Sequence, residues 1–257
     1  MIRIVFLLRR KPARSLAEFQ RYWREEHGPL VASHAQHIGA LRYVQVHRVD
    51  DVINERMATA RGGMEAPYDG VAELWWESEE VLLAALATEA GRAAGAALVE
   101  DERKFIDLPN SPLWFAHEYP QVNPTPENIV ARERSSLVKL YFPLRRRTEL
   151  TEEAAQRYWR TSHGPLIRSQ AAAAGILRYQ QVHRFDSPLE AALRAERGTA
   201  VPPYTGHAEV WFDRGVQRSG PEAAASGARA IEDEAKFIDF KRSCMWIGKE
   251  HVFIDRM

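Results

Sequence analysis

Apolar positions along this chain fall into two rhythms, short strand-like runs and longer helical stretches. IRIVFLL (2–8) and VKLYFPL (138–144) are compact runs rich in branched and aromatic residues, each closed by a basic cluster, and read as first strands. Ser15 and Thr151 then stand where a helix N-cap belongs. Glu18 completes a capping box in the first case, and Glu152 and Glu153 bring first-turn negative charge in the second. The helices they open carry Tyr-Trp and end near His-Gly-Pro, where Pro29 and Pro165 can also open a new short helix. LRYVQVHRV and VAELWWE follow as strands, separated by an excursion of 20 residues from Asp51 to Gly70 whose length suggests a lid or rim. The Ala- and Glu-rich stretch from Ser78 to Lys104 predicts a second helix, broken or bent near Gly91 and Gly95, and residues 112–118 a final strand.

The pattern runs twice. Residues 21–48 and 157–184 are identical at 18 of 28 positions, both spelling Tyr-Trp-Arg and then His-Gly-Pro-Leu. The same offset pairs Arg61-Gly62 with Arg197-Gly198 and Ala72-Glu73 with Ala208-Glu209; after a loss of four residues, DERKFIDL (101–108) aligns with DEAKFIDF (233–240). Residues 1–119 and 137–257 are thus expected as two units. Residues 120–136, with Pro120, Pro124 and Pro126, are expected as an extended linker.

Strand, helix, strand, strand, helix, strand in each copy is the ferredoxin-like βαββαβ order, an α+β class with both helices on one face of an antiparallel sheet. Alternation along the third strand separates an apolar set (Ala72, Leu74, Trp76) from Val71, Glu73 and Trp75, and their counterparts Ala208, Val210 and Phe212 from His207, Glu209 and Trp211. Grouping Tyr43, Gln45 and His47, and Tyr179, Gln181 and His183, with the aromatic-polar set predicts two sheets packed into an eight-stranded barrel around a polar ligand cavity.

Composition narrows the partner. Lys plus Arg and Asp plus Glu number 35 each, so no long-range field points to nucleic acid or a membrane surface, and a small molecule is expected instead. One cysteine, Cys244, excludes an internal disulfide and offers no thiol cluster; with no signal-peptide pattern at the start, a cytoplasmic location is expected. Walker, dinucleotide and nucleophile-elbow motifs are absent.

Candidate chemistry lies in the repeated positions. His27 and His163 follow Trp23 and Trp159 by four residues, on the same helix face. Each imidazole either exchanges protons at a cavity mouth or caps the last carbonyls of its helix. Tyr43, His47, Tyr179 and His183 suit acid–base work on one small ligand, or else bond one another as polar core groups. Glu73 and Glu209, flanked by apolar neighbours, are either partly desolvated acids or bases or members of salt bridges to Arg42, Arg48 or their copies. His207 stands where the first copy has Val71, which favours the second copy, with His163, His183, His207 and Glu209, as the carrier of the chemistry. Trp23, Tyr68, Trp75, Trp159, Tyr204 and Trp211 would supply flat contact to a bound aromatic. His34 and His37 lack a third ligand, so no metal is expected.

The ordered set Tyr-Trp, His-Gly-Pro-Leu, Leu-Arg-Tyr, Gly-x-Ala-Glu-x-Trp and Asp-Glu-x-Lys-Phe-Ile-Asp, present twice, resembles the EthD family of the dimeric α/β-barrel superfamily. The resemblance implies a barrel of two ferredoxin-like units, here supplied by one chain; if the repeats pair within the chain the result is a monomer with an internal pseudo-dimer, and if each pairs with a copy in another chain it is a homodimer or larger ring. Relatives there include cofactor-free monooxygenases, cyclases, dehydratases, decarboxylases, isomerases and haem-binding enzymes. With no cofactor motif, the leading expectation is a cofactor-independent lyase, dehydratase, cyclase or isomerase that moves protons on a small hydrophobic, phenolic or polyketide-like compound. The alternatives are a haem-dependent or cofactor-free monooxygenase, and a non-catalytic binding protein of a degradation pathway.

Overall fold

The computed structural model describes residues 1–123, 129–216 and 220–257. Pro124 and Pro126 of the expected linker lie outside them. The first unit contains β1 (Ile2–Leu8), α1 (Leu16–Tyr22), a π-helical turn (Trp23–His27), α2 (Gly28–His34), β2 (Arg42–Arg48), α3 (Val52–Thr59), β3 (Gly70–Trp76), α4 (Glu79–Ala87), α5 (Glu89–Phe105) and β4 (Leu113–Val122). In the second are β5 (Leu137–Leu144), α6 (Glu152–Tyr158), a π turn (Trp159–His163), α7 (Gly164–Ala174), β6 (Arg178–Arg184), α8 (Pro188–Arg197), β7 (Gly206–Asp213), α9 (Pro221–Glu234) and β8 (Trp246–Asp255). Both predicted N-caps form, Ser15 with the full Glu18 capping box and Thr151 accepting from Ala154 N–H.

Eight antiparallel strands close in the order β1-β3-β2-β8-β5-β7-β6-β4. The fold is therefore α+β, with two βαββαβ units forming an intramolecular α/β barrel. Closure is made by the fourth strands. The first half of β4 pairs with β1, while Ala116–Val122 pairs with β6 of the other unit; β8 likewise bonds both β5 and β2. This double duty explains why β4 runs past the expected 112–118. Among the described residues every edge of this sheet is paired, so the barrel leaves no backbone ladder open to aggregation.

The second-helix expectation needs one correction. The break falls at Thr88, where α4 and α5 meet at 97°, and not near Gly91 and Gly95. Thr88 ends one helix and caps the next through a bond from Gly91 N–H. Gly91 has a packing role instead: a Cβ there would stand 2.0 Å from the Ala85 carbonyl oxygen. No single described helix is long and apolar enough to cross a membrane.

Three cores result. One fills the barrel, with Val5, Val44, Val46, Val71, Trp75, Trp114, Tyr141, Tyr204 and Trp246. The others lie outside it, between the sheet and the helices of each unit. Register decides which residues enter which core. Directly opposed residues in an antiparallel pair share a face; Val44 opposes Glu73, whereas Tyr43 opposes Leu74. Tyr43, Gln45 and His47 therefore face the helices, as do Tyr179, Gln181 and His183 by the same register with β7. The expected grouping of these residues with Glu73 and Trp75 is reversed.

Candidate active site

This reversal separates the predicted residues into two regions. Glu73, His207 and Glu209 lie inside the barrel, all fully buried. There they meet two cations that the sequence reading did not consider. Arg3 reaches Glu73 Oε1 at 3.1 Å and Glu118 Oε1 at 2.7 Å and also contacts Glu209 and His207; Lys139 Nζ stands 3.0 Å from both Glu73 and Glu209. The salt-bridge alternative for the two glutamates is the observed one, with Arg3 and Lys139 as partners and not Arg42 or Arg48. Burial pushes Glu73 up to about 8 against the pull of Lys139, and pushes His207 down to about 3. Glu209 is held well below the usual carboxylate range because Arg3 and Lys139 outweigh its own desolvation.

Glu73, His207 and Glu209 have donor atoms close enough for one metal ion. Arg3 Nη2 already contacts all three, and a cation would have to displace it, so the donor set does not fit a metal as it stands. Trp75 and Trp211 complete this packed region by donating to Glu118 and Glu250, and Tyr68 and Tyr204 lie edge-on at 6.3 Å beneath Arg9 and Arg145. These four aromatics line neither of the two large cavities.

Those cavities, of about 410 and 670 Å³, lie in the helix–sheet layers of the first and second unit. Trp23, His27 and Tyr43 line the first, Trp159, His163 and Tyr179 the second. The remaining walls are mainly aliphatic, including Ile4, Leu8, Val31 and Leu74 in one and Leu140, Leu144, Ile167 and Val210 in the other.

His-Gly-Pro builds the polar end of each cavity. Pro29 has no N–H for the Glu25 carbonyl, and the chain answers with a π turn in which Gly28 N–H bonds Trp23 O. Gly28 is required by close approach: a Cβ would lie 2.3 Å from the Phe253 ring and 3.0 Å from Gln45 Nε2. That amide donates 2.7 Å to Trp23 O. Gly164, Trp159 and Gln181 repeat the arrangement.

His27 does not cap its helix. Its Nδ1 lies 2.8 Å from Asp101 Oδ2 on α5, and His163 Nδ1 lies 2.9 Å from Asp233 Oδ2 on α9. Each aspartate also accepts from a tyrosine (Tyr22 at 2.8 Å, Tyr158 at 2.6 Å) and a lysine (Lys104, Lys236). The bond from His27 holds the Asp101 carboxyl well below its ordinary range; at Asp233 burial acts upward, but the bonds from Tyr158, Lys236 and His163 prevail. An ionised aspartate can only accept, so Nδ1 donates to it, and Nε2 has no protein partner among the described residues.

Tyr43 is aimed by its neighbours. Its oxygen accepts from Trp23 Nε1 at 3.2 Å and Gln45 Nε2 at 2.9 Å, and Tyr179 accepts from Trp159 at 3.0 Å and Gln181 at 3.1 Å. With both lone pairs used, the phenol hydrogen is left to donate, and it has no acceptor among the described residues. Burial raises both phenols above their ordinary range, keeping that hydrogen in place. His47 and His183 stand one layer behind. Each stacks on the tryptophan (4.5 Å between rings) and bonds the glutamine Oε1 at 2.8 and 3.0 Å.

Sequence reasoning missed Asp101, Asp233 and their neighbours Glu102 and Glu234, although the repeated Asp-Glu-x-Lys-Phe carried the signal. The preference for the second unit rested on His207, which lies in the barrel and outside its cavity.

A family model described as the EthD domain matches residues 11–109 and again 147–241. No curated protein matches the chain. Among solved structures it is similar to a candidate monooxygenase from Lactobacillus acidophilus (9% identity, covering 99% of this chain and 96% of that one, TM-score 0.47). A candidate monooxygenase from Fusobacterium nucleatum gives 7% identity, 98% and 93% coverage and a TM-score of 0.47. An EthD family protein from Bacillus halodurans is 23% identical over 46% of this chain and 99% of its own, with a TM-score of 0.31.

Proposed function

The chain belongs to the EthD domain family, one copy in each half, and from that premise we propose that it is an enzyme that abstracts a proton from a small, neutral, hydrophobic compound bearing a carbonyl or phenol. The observation that carries this is the pairing, in each cavity, of an aspartate-oriented imidazole with a tyrosine whose only uncommitted atom is its hydrogen. His27 or His163 Nε2 takes the proton; Asp101 or Asp233 fixes the ring and stabilises the imidazolium. Tyr43 or Tyr179 donates to the oxygen on which negative charge collects. Aliphatic walls exclude water and strengthen both interactions.

The resulting enolate or phenolate has two fates. Reprotonation or loss of a leaving group gives isomerase, dehydratase or lyase chemistry. Reaction with molecular oxygen gives cofactor-free oxygenation, in which a methylene carbon loses four electrons to become a carbonyl and dioxygen gains them, one atom entering the product and the other leaving as water. The second fate suits the names borne by two of the similar structures, and it needs no reductant beyond the substrate.

Hydrogen–deuterium exchange at the acidic methylene of β-tetralone tests the shared first step. The chain should accelerate exchange, and the double variant His27→Ala/His163→Ala should lose about a hundredfold or more of that acceleration with its circular dichroism unchanged. Exchange unaffected by the double variant would remove the proposal. Supplying labelled dioxygen separates the fates by whether label enters product.

A further inference from the structure

On α5 two adjacent carboxylates face different partners. Asp101 holds His27, while Glu102 lines the same cavity and is held by Arg197, Nε to Oε2 at 2.7 Å and Nη2 to Oε1 at 2.9 Å. Arg197 is the last residue of α8 and belongs to the other unit. The mirror arrangement has Glu234 of the second unit held by Arg61, just beyond α3 of the first, at 2.7 and 3.0 Å. Both arginines are themselves cavity-lining and lie against aromatic rings of the opposite unit, Arg197 over Phe6 and Arg61 over Phe142. Leu193 accompanies Arg197 into the first cavity, and Ile53 and Met57 accompany Arg61 into the second. The excursion expected as a lid is thus a lid for the other repeat.

We propose that each glutamate–arginine pair is a second polar pole that accepts a hydrogen bond from a ligand hydroxyl, so that the ligand class is a flat, uncharged aromatic with two oxygen functions, and that each cavity works only with the arginine of the opposite repeat. The proposal deepens the proton-transfer reading and rests on it for the use of the cavity. Arginine occupies one lone pair on each glutamate oxygen and leaves another free, which makes a fixed acceptor. The pair is neutral overall, and at the other pole the aspartate's charge is balanced by the lysine bonded to it, so neither favours a charged ligand. The aliphatic side chains that line the same cavities fit a ring system. Arg61 and Arg197 are positioning residues: without them a buried glutamate loses its partner and its orientation.

Two glycines allow each cavity to be closed separately. A Cβ on Gly95, in the first cavity, would meet only Leu86 at 3.8 Å, and one on Gly227, in the second, would meet nothing within 4 Å. Gly95→Phe and Gly227→Phe should each plug one cavity without straining the fold; Gly95→Leu and Gly227→Leu serve if phenylalanine impairs folding. Each plug is combined with Arg61→Ala or Arg197→Ala, and binding is titrated with a naphthalenediol and with β-naphthol, which has a single hydroxyl. The combinations G95F/R61A and G227F/R197A should bind the diol about tenfold more weakly than the plugged parents. G95F/R197A and G227F/R61A should match those parents, because the arginine removed serves the cavity already closed. β-Naphthol should distinguish none of them. Equal diol binding in all four, or weakening in the uncrossed pair, overturns the crosswise assignment. A wild-type chain that takes up no diol, or that holds naphthol as tightly, overturns the ligand class. Loss of β-tetralone exchange in the histidine variants would be unaffected by either result, so this inference and the acid–base reading fail separately.

Discussion

At the scale of single residues, a histidine's duty is set by what its two ring nitrogens meet. His27 and His163 each have an aspartate on Nδ1 and no protein partner on Nε2 among the described residues, in a ring that lines a cavity. His47 and His183 have an amide oxygen and a stacked indole instead, and they serve to aim Gln45 and Gln181. Burial keeps His47 well below the ordinary imidazole range and takes His183 and His207 down to about 3. These three are neutral in the folded chain, whereas unfolded imidazoles take up protons near about pH 6.5. Their contribution to stability is therefore complete above that value and is lost as the pH falls toward the folded values. Each adds a slope of up to about 1.4 kcal/mol per pH unit. Glu73, raised to about 8, acts in the opposite sense as the pH rises from the usual carboxylate range, so it offsets one of the three. Urea unfolding should show a midpoint that drops between about pH 7 and about pH 5, and His183→Asn should flatten the profile. A midpoint that rose on acidification would mean the imidazoles are charged inside the fold.

Among the elements, the π turn is where the His-Gly-Pro motif acquires its meaning. In the turn the Trp23 carbonyl accepts from Gly28 N–H, one residue further along than in a regular helix, and also from Gln45, which in turn fixes Tyr43. The strands contribute through close approach. A Cβ on Gly70, at the start of β3, would stand 2.7 Å from the Val46 carbonyl oxygen and 2.4 Å from the Trp23 ring. Gly70→Ala should cost about 1–3 kcal/mol in chemical denaturation and tilt the indole off Tyr43. Gly95→Ala, on the open side of α5, should instead be neutral or stabilise by up to about 1 kcal/mol. The second helix teaches a related point. Gly91 looks like a helix breaker from sequence, yet the break is made by Thr88, whose hydroxyl caps α5, while Gly91 lets the two helices touch.

For the whole molecule, the barrel closes only because β4 and β8 each bond both units, and Arg61, just beyond α3, and Arg197 of α8 cross over in addition. The two halves share the barrel core and the strand pairs that close it. Calorimetry should accordingly show one cooperative transition with calorimetric and van't Hoff enthalpies in agreement, and two separated transitions would contradict the coupling. Much of this was written in the chain. The duplication, the strand and helix order, the N-caps at Ser15 and Thr151, and the alternation that split β3 all depend on local spacing, and local spacing survives in a linear sequence. His27, His163, Tyr43 and Tyr179 of the candidate site were visible in the same way, as repeated ionisable residues. Which face each strand turned toward the helices was not: parity within a strand is local, but its phase relative to the next strand is fixed by pairing register, where a shift of one residue exchanges the faces. Only the folded structure could therefore send Tyr43 to the helices and Glu73 to the barrel, bring Asp101 to His27 across 74 positions, and hand each cavity an arginine from the opposite repeat.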